Sequence, residues 1–291
     1  MSTPLADLPR ETRAALNIRA TAPGLLHLAG HLGAIMATGT LIVLQPPLWW
    51  LALPVYGVLI VFLFTLQHEC THRTPFASDR LCDLVGHVIG LVVLNPFLWF
   101  RPFHFAHHRH TNRPGDPELD GPLLETRAQW LWHVSGIPYW RAQLALLIRL
   151  ACGRETPAWL PAAMRSRAER EVRILLAIYA LALLTLMWSP LVLWLWIVPC
   201  LLGQPALRLY LLAEHGDCPQ VADMLENTRT TFTTRAVRAL AWNMPYHAEH
   251  HLAPQVPFHR LPALHALIRD RLRVTAPGYA AFTRDYLARR R

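Results

Sequence analysis

Residues 48–72, "LWWLALPVYGVLIVFLFTLQHECTH", run a charge-free apolar stretch straight into a pair of histidines. A helix needs about 20 mostly apolar residues to cross a bilayer core, so residues 48–67 predict a membrane span that ends just before His68. His68 and His72 lie four residues apart, one above the other on a single helix face. The question is whether this pair works alone, with Glu69 between its members, or belongs to a larger set.

Outward from that stretch the pattern repeats. Residues 25–44 form a second uncharged run, joined to the first by the short linker "QPP". Residues 174–213 form a longer apolar run whose only charge is Arg208, and Ser189-Pro190 divides it into spans 174–189 and 190–213. The expected fold is therefore all-α integral membrane: four transmembrane helices in two hairpins, with a cytoplasmic helical cap. The chain reads as one domain, 1–291, with a tail 1–24, a loop 68–173 and a C-terminal segment 214–291 outside the bilayer. Two apolar segments inside the loop, 81–100 and 137–152, contain polar or Arg residues and read as helices lying in or dipping into the interface.

Composition agrees. Of 291 residues 53% are hydrophobic and only 16% charged, against roughly 25% charged in soluble domains. All 28 basic residues are Arg, the net charge is +9, and the expected outer turns carry none of it. The positive-inside rule then puts the three polar segments in the cytoplasm, which is the inner-membrane side if the source is bacterial. Arg interleaved with apolar runs speaks against nucleic acid as a partner. Five scattered Cys without CxxC spacing read as free thiols, and the N-terminus shows no signal-peptide pattern.

The 16 His residues carry the functional signal. "HECTH" supplies His68 and His72, "HFAHH" supplies His104, His107 and His108, and "HAEHH" supplies His247, His250 and His251. Each HxxHH can turn three imidazoles to one point on a helix. His215 stands alone in sequence but falls where the last span leaves the membrane, at the level of the three boxes. One metal accepts at most about six such ligands, so nine imply two metals. Imidazole suits iron, zinc, copper and nickel alike. Isolated His87, His133, His259 and His265 read as caps or core hydrogen-bonders. His110 points off its box's face, and His27 and His31 repeat the four-residue spacing near the metal layer without completing a box.

Glu69, Glu214, Glu249, Asp116 and Asn243 flank the boxes and are candidates to orient ligand imidazoles through the second ring N–H. Glu118 reads as solvated charge and Cys70 as a small packing residue. Trp99, Phe100, Trp242 and Tyr246 are candidate walls of an apolar substrate tunnel.

Together the order HxxxH, HxxHH, HxxHH on a four-span chain resembles the integral-membrane fatty acid desaturase and hydroxylase superfamily. "HECTHRTPF", "FRPFHFAHHRHTNRPGDPE" and "NMPYHAEHHLAPQVPFHRLPALHALI" match its three boxes with their flanks. The resemblance implies a non-haem di-iron centre held by the nine His and an O2-dependent attack on an unactivated C–H bond of a fatty acyl or related lipid chain. Desaturation is the expected outcome; hydroxylation, or decarboxylation to a terminal alkene, is the alternative within the superfamily. The chain has no flavin, haem or iron–sulfur motif, so electrons are expected from an external donor such as a ferredoxin docking on the Arg-rich face. Where some acyl-CoA members of the family carry an Asn four residues before the isolated His, this chain has Leu211. The competing class is an intramembrane zinc protease using HExxH at 68–72, with Glu69 as base and Asp116 or Asp120 as third ligand. That reading leaves both HxxHH boxes idle.

Overall fold

The structure, a computed structural model, describes residues 5–291 and is helical almost throughout. In chain order the helices are α1 (Arg10–Leu16), α2 (Thr21–Leu44), α3 (Ala52–Val61), α4 (Leu63–His72), α5 (Asp79–Val92), α6 (Phe97–His110), α7 (Arg127–Val134), α8 (Ile137–Ala151) and α9 (Ala162–Leu184). There follow α10 (Val198–His215), α11 (Met224–Asn227), α12 (Arg235–Leu240), α13 (His247–Leu252), α14 (Leu261–Ile268) and α15 (Tyr279–Ala288). A two-residue parallel pairing, Thr230–Thr231 with Thr275–Ala276, ties the C-terminal segment together.

Three helical stretches among the described residues are long and apolar enough to cross a membrane: Arg10–Leu44, Trp49–His72 and Leu193–His215. The chain reverses at Gln45–Leu48, where Gln45 and Leu48 both take left-handed φ values of 48° and 66°, and again at Trp188–Pro190. Leu26 and Trp188 are 75% and 78% exposed, a degree of apolar exposure suited to lipid rather than water. The expected span 174–189 behaves differently. Its helix, α9, begins at Ala162, and its first half carries Arg165, Arg167, Glu169, Arg170, Glu171 and Arg173. Ala, Arg and Glu are strong helix formers, so the helix extends through a charged stretch that hydropathy alone assigns to a loop.

Segment 81–100 turns back on itself. Helices α5 and α6 qualify as a span only together, and they are bent by 104° at their junction. Leu94 adopts φ +58° there, and Asn95 precedes a proline, which disfavours helix. The elbow is locked by a side-chain pair: Gln67 Nε2 donates to the Asn95 carbonyl at 2.8 Å, and Asn95 Nδ2 donates to Gln67 Oε1 at 2.9 Å. Gly90 is required at this point, since a Cβ there would sit 2.6 Å from the Asn95 carbonyl oxygen. The residue beside His68 thus holds the elbow that returns the second box to the first. From α9, Glu171 accepts from the backbone N–H groups of Phe97 and Leu98 at 3.2 and 2.8 Å. A carboxylate there satisfies donors that the first turn of α6 leaves open and complements its dipole. The same carboxylate meets His87 Nδ1 at 2.5 Å, so His87 is a structural histidine.

Helix α3 packs on α10 without side chains between them at one crossing. A Cβ on Gly57 would lie 2.1 Å from the Pro199 carbonyl oxygen, and one on Gly203 would lie 2.3 Å from Gly57. Small residues that let backbones touch are the usual device for joining apolar helices. This contact sets His68 and His72, which continue the α3 rod, beside His215 at the end of α10.

Candidate metal centre

Nine histidines converge in two groups. In the first, His68, His72, His104, His108 and His250 bring one ring nitrogen each within 4.8 Å of one another; in the second, His107, His215, His247 and His251 do the same. All nine are the sequence candidates, and each box feeds the assembly from a different element. The first box gives two nitrogens to the five-histidine group, while the second and third boxes are split between the groups. His27, His31 and His110 belong to neither. His27 Nε2 meets the Ala239 carbonyl at 2.7 Å and His31 Nε2 the Leu59 carbonyl at 2.8 Å, so both serve as core hydrogen-bonders.

Hydrogen bonding fixes which ring nitrogens carry protons in the second group. His215 Nδ1 lies 3.2 Å from the Asn227 carbonyl, which can only accept, so Nδ1 carries the proton and Nε2 a lone pair. His107 Nδ1 meets both oxygens of Asp116 at 2.9 and 3.0 Å and is likewise the donor. Thr111 gives its hydroxyl proton to the His107 carbonyl at 2.9 Å, so it accepts from His251 Nδ1 at 3.1 Å. His247 Nδ1 points to Glu214 at 3.4 Å. Three Nε2 lone pairs, of His107, His215 and His251, therefore face inward, and His247 Nε2 lies 3.1 Å from both His215 Nε2 and His251 Nε2, where a single N–H could satisfy one of them at most. Lone pairs packed this closely repel unless a cation lies among them.

The first group repeats the pattern. His250 Nε2 is 2.9 Å from His68 Nε2 and 3.2 Å from His108 Nε2, and a single N–H can satisfy one of these at most. Burial first, then neighbouring imidazoles, hold His247, His250 and His251 well below the ordinary histidine value, so their rings are neutral at pH 7 and available as donors. The residues present thus fit two metal ions. Five nitrogens in the first group exceed the four of a structural zinc site, and imidazole donors suit iron among other transition metals.

The acidic residues divide. Asp116 orients His107 and also accepts from the N–H groups of Asn112 and Glu118. Glu214 faces His247. Glu69 is fully buried; its Oε2 accepts from Thr74 Oγ1 at 2.7 Å and from the Phe258 N–H at 3.1 Å, and its Oε1 lies 3.8 Å from His250 Nδ1. Its hydrogen bonds thus hold Oε2 alone, and Oε1 is left without a hydrogen-bond partner; Asp116 is spent on His107 rather than on the first box. Glu249 corrects the sequence expectation: it holds His265 Nδ1 and Thr230 Oγ1, both at 2.5 Å, and no ligand histidine. Asn243 donates to the Phe258 carbonyl at 3.0 Å and so braces the segment that binds Glu69. Thr74, Thr111, Thr230, Asn227 and His265 complete the support, and no spacing in the sequence marks them.

A cavity of about 470 Å³ opens beside both groups, reached by His68, His104, His107 and His247. Phe64, Trp99, Phe100, Phe103 and Leu211 form its apolar wall. Trp242 and Tyr246 do not line it. Trp242 is fully buried against His27 and Phe258, and Tyr246 stacks on His265. Left-handed φ values at Trp242 and Asn243, 50° and 59°, turn the chain before α13 and carry both rings away from the cavity. Glu118, Arg208, His133 and Tyr139 also reach the space.

Paired imidazole clusters at the ends of apolar helices, open to one cavity, form a candidate metal centre of a membrane protein. Residues 44–283 match the fatty acid desaturase family, and the chain belongs to it. It is 25% identical to an "sn-1 oleoyl-lipid 12-desaturase" of Picosynechococcus sp., over 91% of this chain and 81% of that protein. It is 29% identical to a "Dihydrorhizobitoxine desaturase" of Bradyrhizobium elkanii, over 80% of this chain and 70% of the relative. An "sn-1 acyl-lipid omega-3 desaturase (ferredoxin)" of Synechocystis sp. is 26% identical over 47% of this chain and 38% of its own length.

Proposed function

We propose that this chain is an O2-dependent di-iron desaturase acting on an acyl or related lipid chain. The observation that carries the reading is the partition of nine histidines into a five- and a four-nitrogen group on the wall of one apolar cavity. Bound iron would supply O2-dependent oxidation of an unactivated C–H bond. The chain's own residues do the positioning. The aromatic wall excludes water and aligns a methylene run beside both groups. Asp116, Thr111 and the Asn227 carbonyl keep protons on Nδ1, so that Nε2 stays a donor to metal. The names of the relatives favour desaturation over hydroxylation or decarboxylation.

For topology we infer four crossings, α2, the α3–α4 rod, the apolar half of α9, and Leu193–His215, with the histidine groups on the cytoplasmic side where Arg is concentrated. Electrons come from an external carrier. A cleft edged by Arg10 and Arg13 lies against Ala253 and Val256, immediately after the third box, and suits an acidic docking partner such as a ferredoxin. The zinc-protease reading is disfavoured because it uses His68 and His72 and leaves the other seven histidines of the two groups without a role. Mass spectrometry of lipids and volatiles from cells expressing the wild type beside His247→Ala tests the proposal. Products with one new double bond that vanish in the variant are expected; identical profiles would sink it.

A further inference from the structure

Arg208 is the only charge in residues 174–213, and a cation inside an apolar helix is costly enough that it marks a functional site by default. It sits two turns before His215 on α10 and lines the same cavity as His68, His104, His107 and His247. The side chains it touches directly are neutral, while the carboxyls of Glu118 and Glu214 act on it from farther off through charge. The guanidinium carbon lies 4.3 Å over the Tyr139 ring. With its amide turned to face the guanidinium, Gln204 accepts from Nε at 2.9 Å and from Nη2 at 3.2 Å. Among the described residues no carboxylate comes within the 4.0 Å of an ion pair. The two acids that share the cavity are turned to imidazoles: Glu214 to His247 at 3.4 Å and Glu118 to His107 at 3.7 Å. Gln204 meets two of the five guanidinium N–H donors, which leaves the others without a charged acceptor.

The neighbours on this side of the cavity are donors without charge. Burial, and after it the Arg208 charge, hold His133 down to about 4, so its imidazole is neutral at physiological pH. Burial pushes the Tyr139 hydroxyl above its ordinary value, so it keeps its proton. One fixed cation, flanked by an O–H and a neutral imidazole and facing an apolar wall of Phe64, Trp99, Phe100 and Phe103, matches an amphiphile with an anionic, planar, two-oxygen head.

We propose that Arg208 binds the carboxylate of a free-acid substrate, so that the chain oxidises unesterified carboxylic acids rather than acyl groups held in esters. The inference rests on the di-iron reading and names its substrate class. At 1.5 Å rise per residue, Arg208 lies about 10 Å along α10 from His215, so the carbon attacked lies within a medium-chain length of the carboxylate. An ester or thioester brings no charge to this guanidinium and leaves it desolvated.

Full-length protein in phosphatidylcholine nanodiscs, titrated with decanoate and with methyl decanoate at pH 7.5, tests this through quenching of tryptophan fluorescence. The wild type is expected to bind the acid about tenfold or more tightly than the ester, the effect of removing one partner of a desolvated charge pair. In Arg208→Gln that preference disappears through loss of acid binding. Arg208→Lys retains part of it, and if Arg208→Gln does not fold, a reduced acid-to-ester ratio in Arg208→Lys carries the test. Equal binding of acid and ester by the wild type, or a preference that survives both substitutions, overturns the assignment. Iron content and O2 uptake of the same samples report separately on the di-iron reading: a chain without iron fails there, whatever its acid-to-ester ratio.

Discussion

His247 Nε2 stands 3.1 Å from two other imidazole nitrogens whose lone pairs are fixed inward by Asn227 and Thr111. Removing it should empty the four-nitrogen group while the five-nitrogen group stays loaded, so His247→Ala is expected to retain about one iron per chain where the wild type holds about two. Asp116→Ala, which frees the His107 ring, should weaken metal binding at that group by about 10–100-fold in a chelator competition. Glu69→Gln should keep both irons and reduce O2-dependent turnover only partly, since Glu69 belongs to neither nitrogen group and an amide oxygen can still accept from Thr74 and Phe258 as Oε2 does; complete loss of a peptide-cleaving activity on that change would revive the protease reading. At this scale the ligand candidates were legible because histidine spacing on a helix is a strong signal. Their supports were not, because Thr74, Thr111, Thr230 and Asn227 act through single contacts from distant segments. Glu249 and Tyr246 were misjudged for a related reason: nearness in sequence to a box says little about direction once two left-handed residues have turned the chain.

The α3–α10 crossing has room for no side chain at Gly57 or Gly203. Gly203→Ala is therefore expected to destabilise the bundle by about 1–3 kcal/mol and to lower the yield of folded protein, and thermal unfolding of the purified variant measures this. At the other end of α10, Asp217 clamps the chain terminus, with Arg290 Nη2 at 2.5 Å and Arg289 Nη2 at 2.8 Å. Burial pushes the Asp217 carboxyl up, but hydrogen bonds from Arg290 and Arg289 outweigh it and hold the group below its ordinary value. A lowered folded value means that the stabilisation is complete above the unfolded carboxyl value of about 3.9 and is lost as pH falls through the folded one. Asp217→Asn should cost about 1 kcal/mol at pH 7, and the gap from wild type should close as pH drops below about 4; a gap that persists under acid contradicts the clamp. Among elements, the first hairpin and the turn at Ser189-Pro190 were plain from hydropathy and turn residues. The early start of α9 was not, because charged helix formers look like loop to a hydropathy window. The 104° elbow was only half legible: Asn95-Pro96 announced a break, but the Gln67–Asn95 pair that sets its direction joins residues far apart in sequence.

Over the whole molecule, apolar helices with lipid-exposed faces carry a buried polar layer in which three histidine boxes and one lone histidine meet. That meeting requires the elbow to return α6, α10 to end level with α4, and the C-terminal segment to fold back under both. Hydropathy foretold the apolar helices and histidine spacing the boxes, whereas the five-to-four division of the histidines belongs to the tertiary structure alone. A single zinc site of four ligands would use fewer than half of these nine histidines. The most direct test is metal analysis of the purified full-length protein by inductively coupled plasma mass spectrometry. About two iron ions per chain and little zinc are expected, and one zinc per chain with no iron would contradict the di-iron centre.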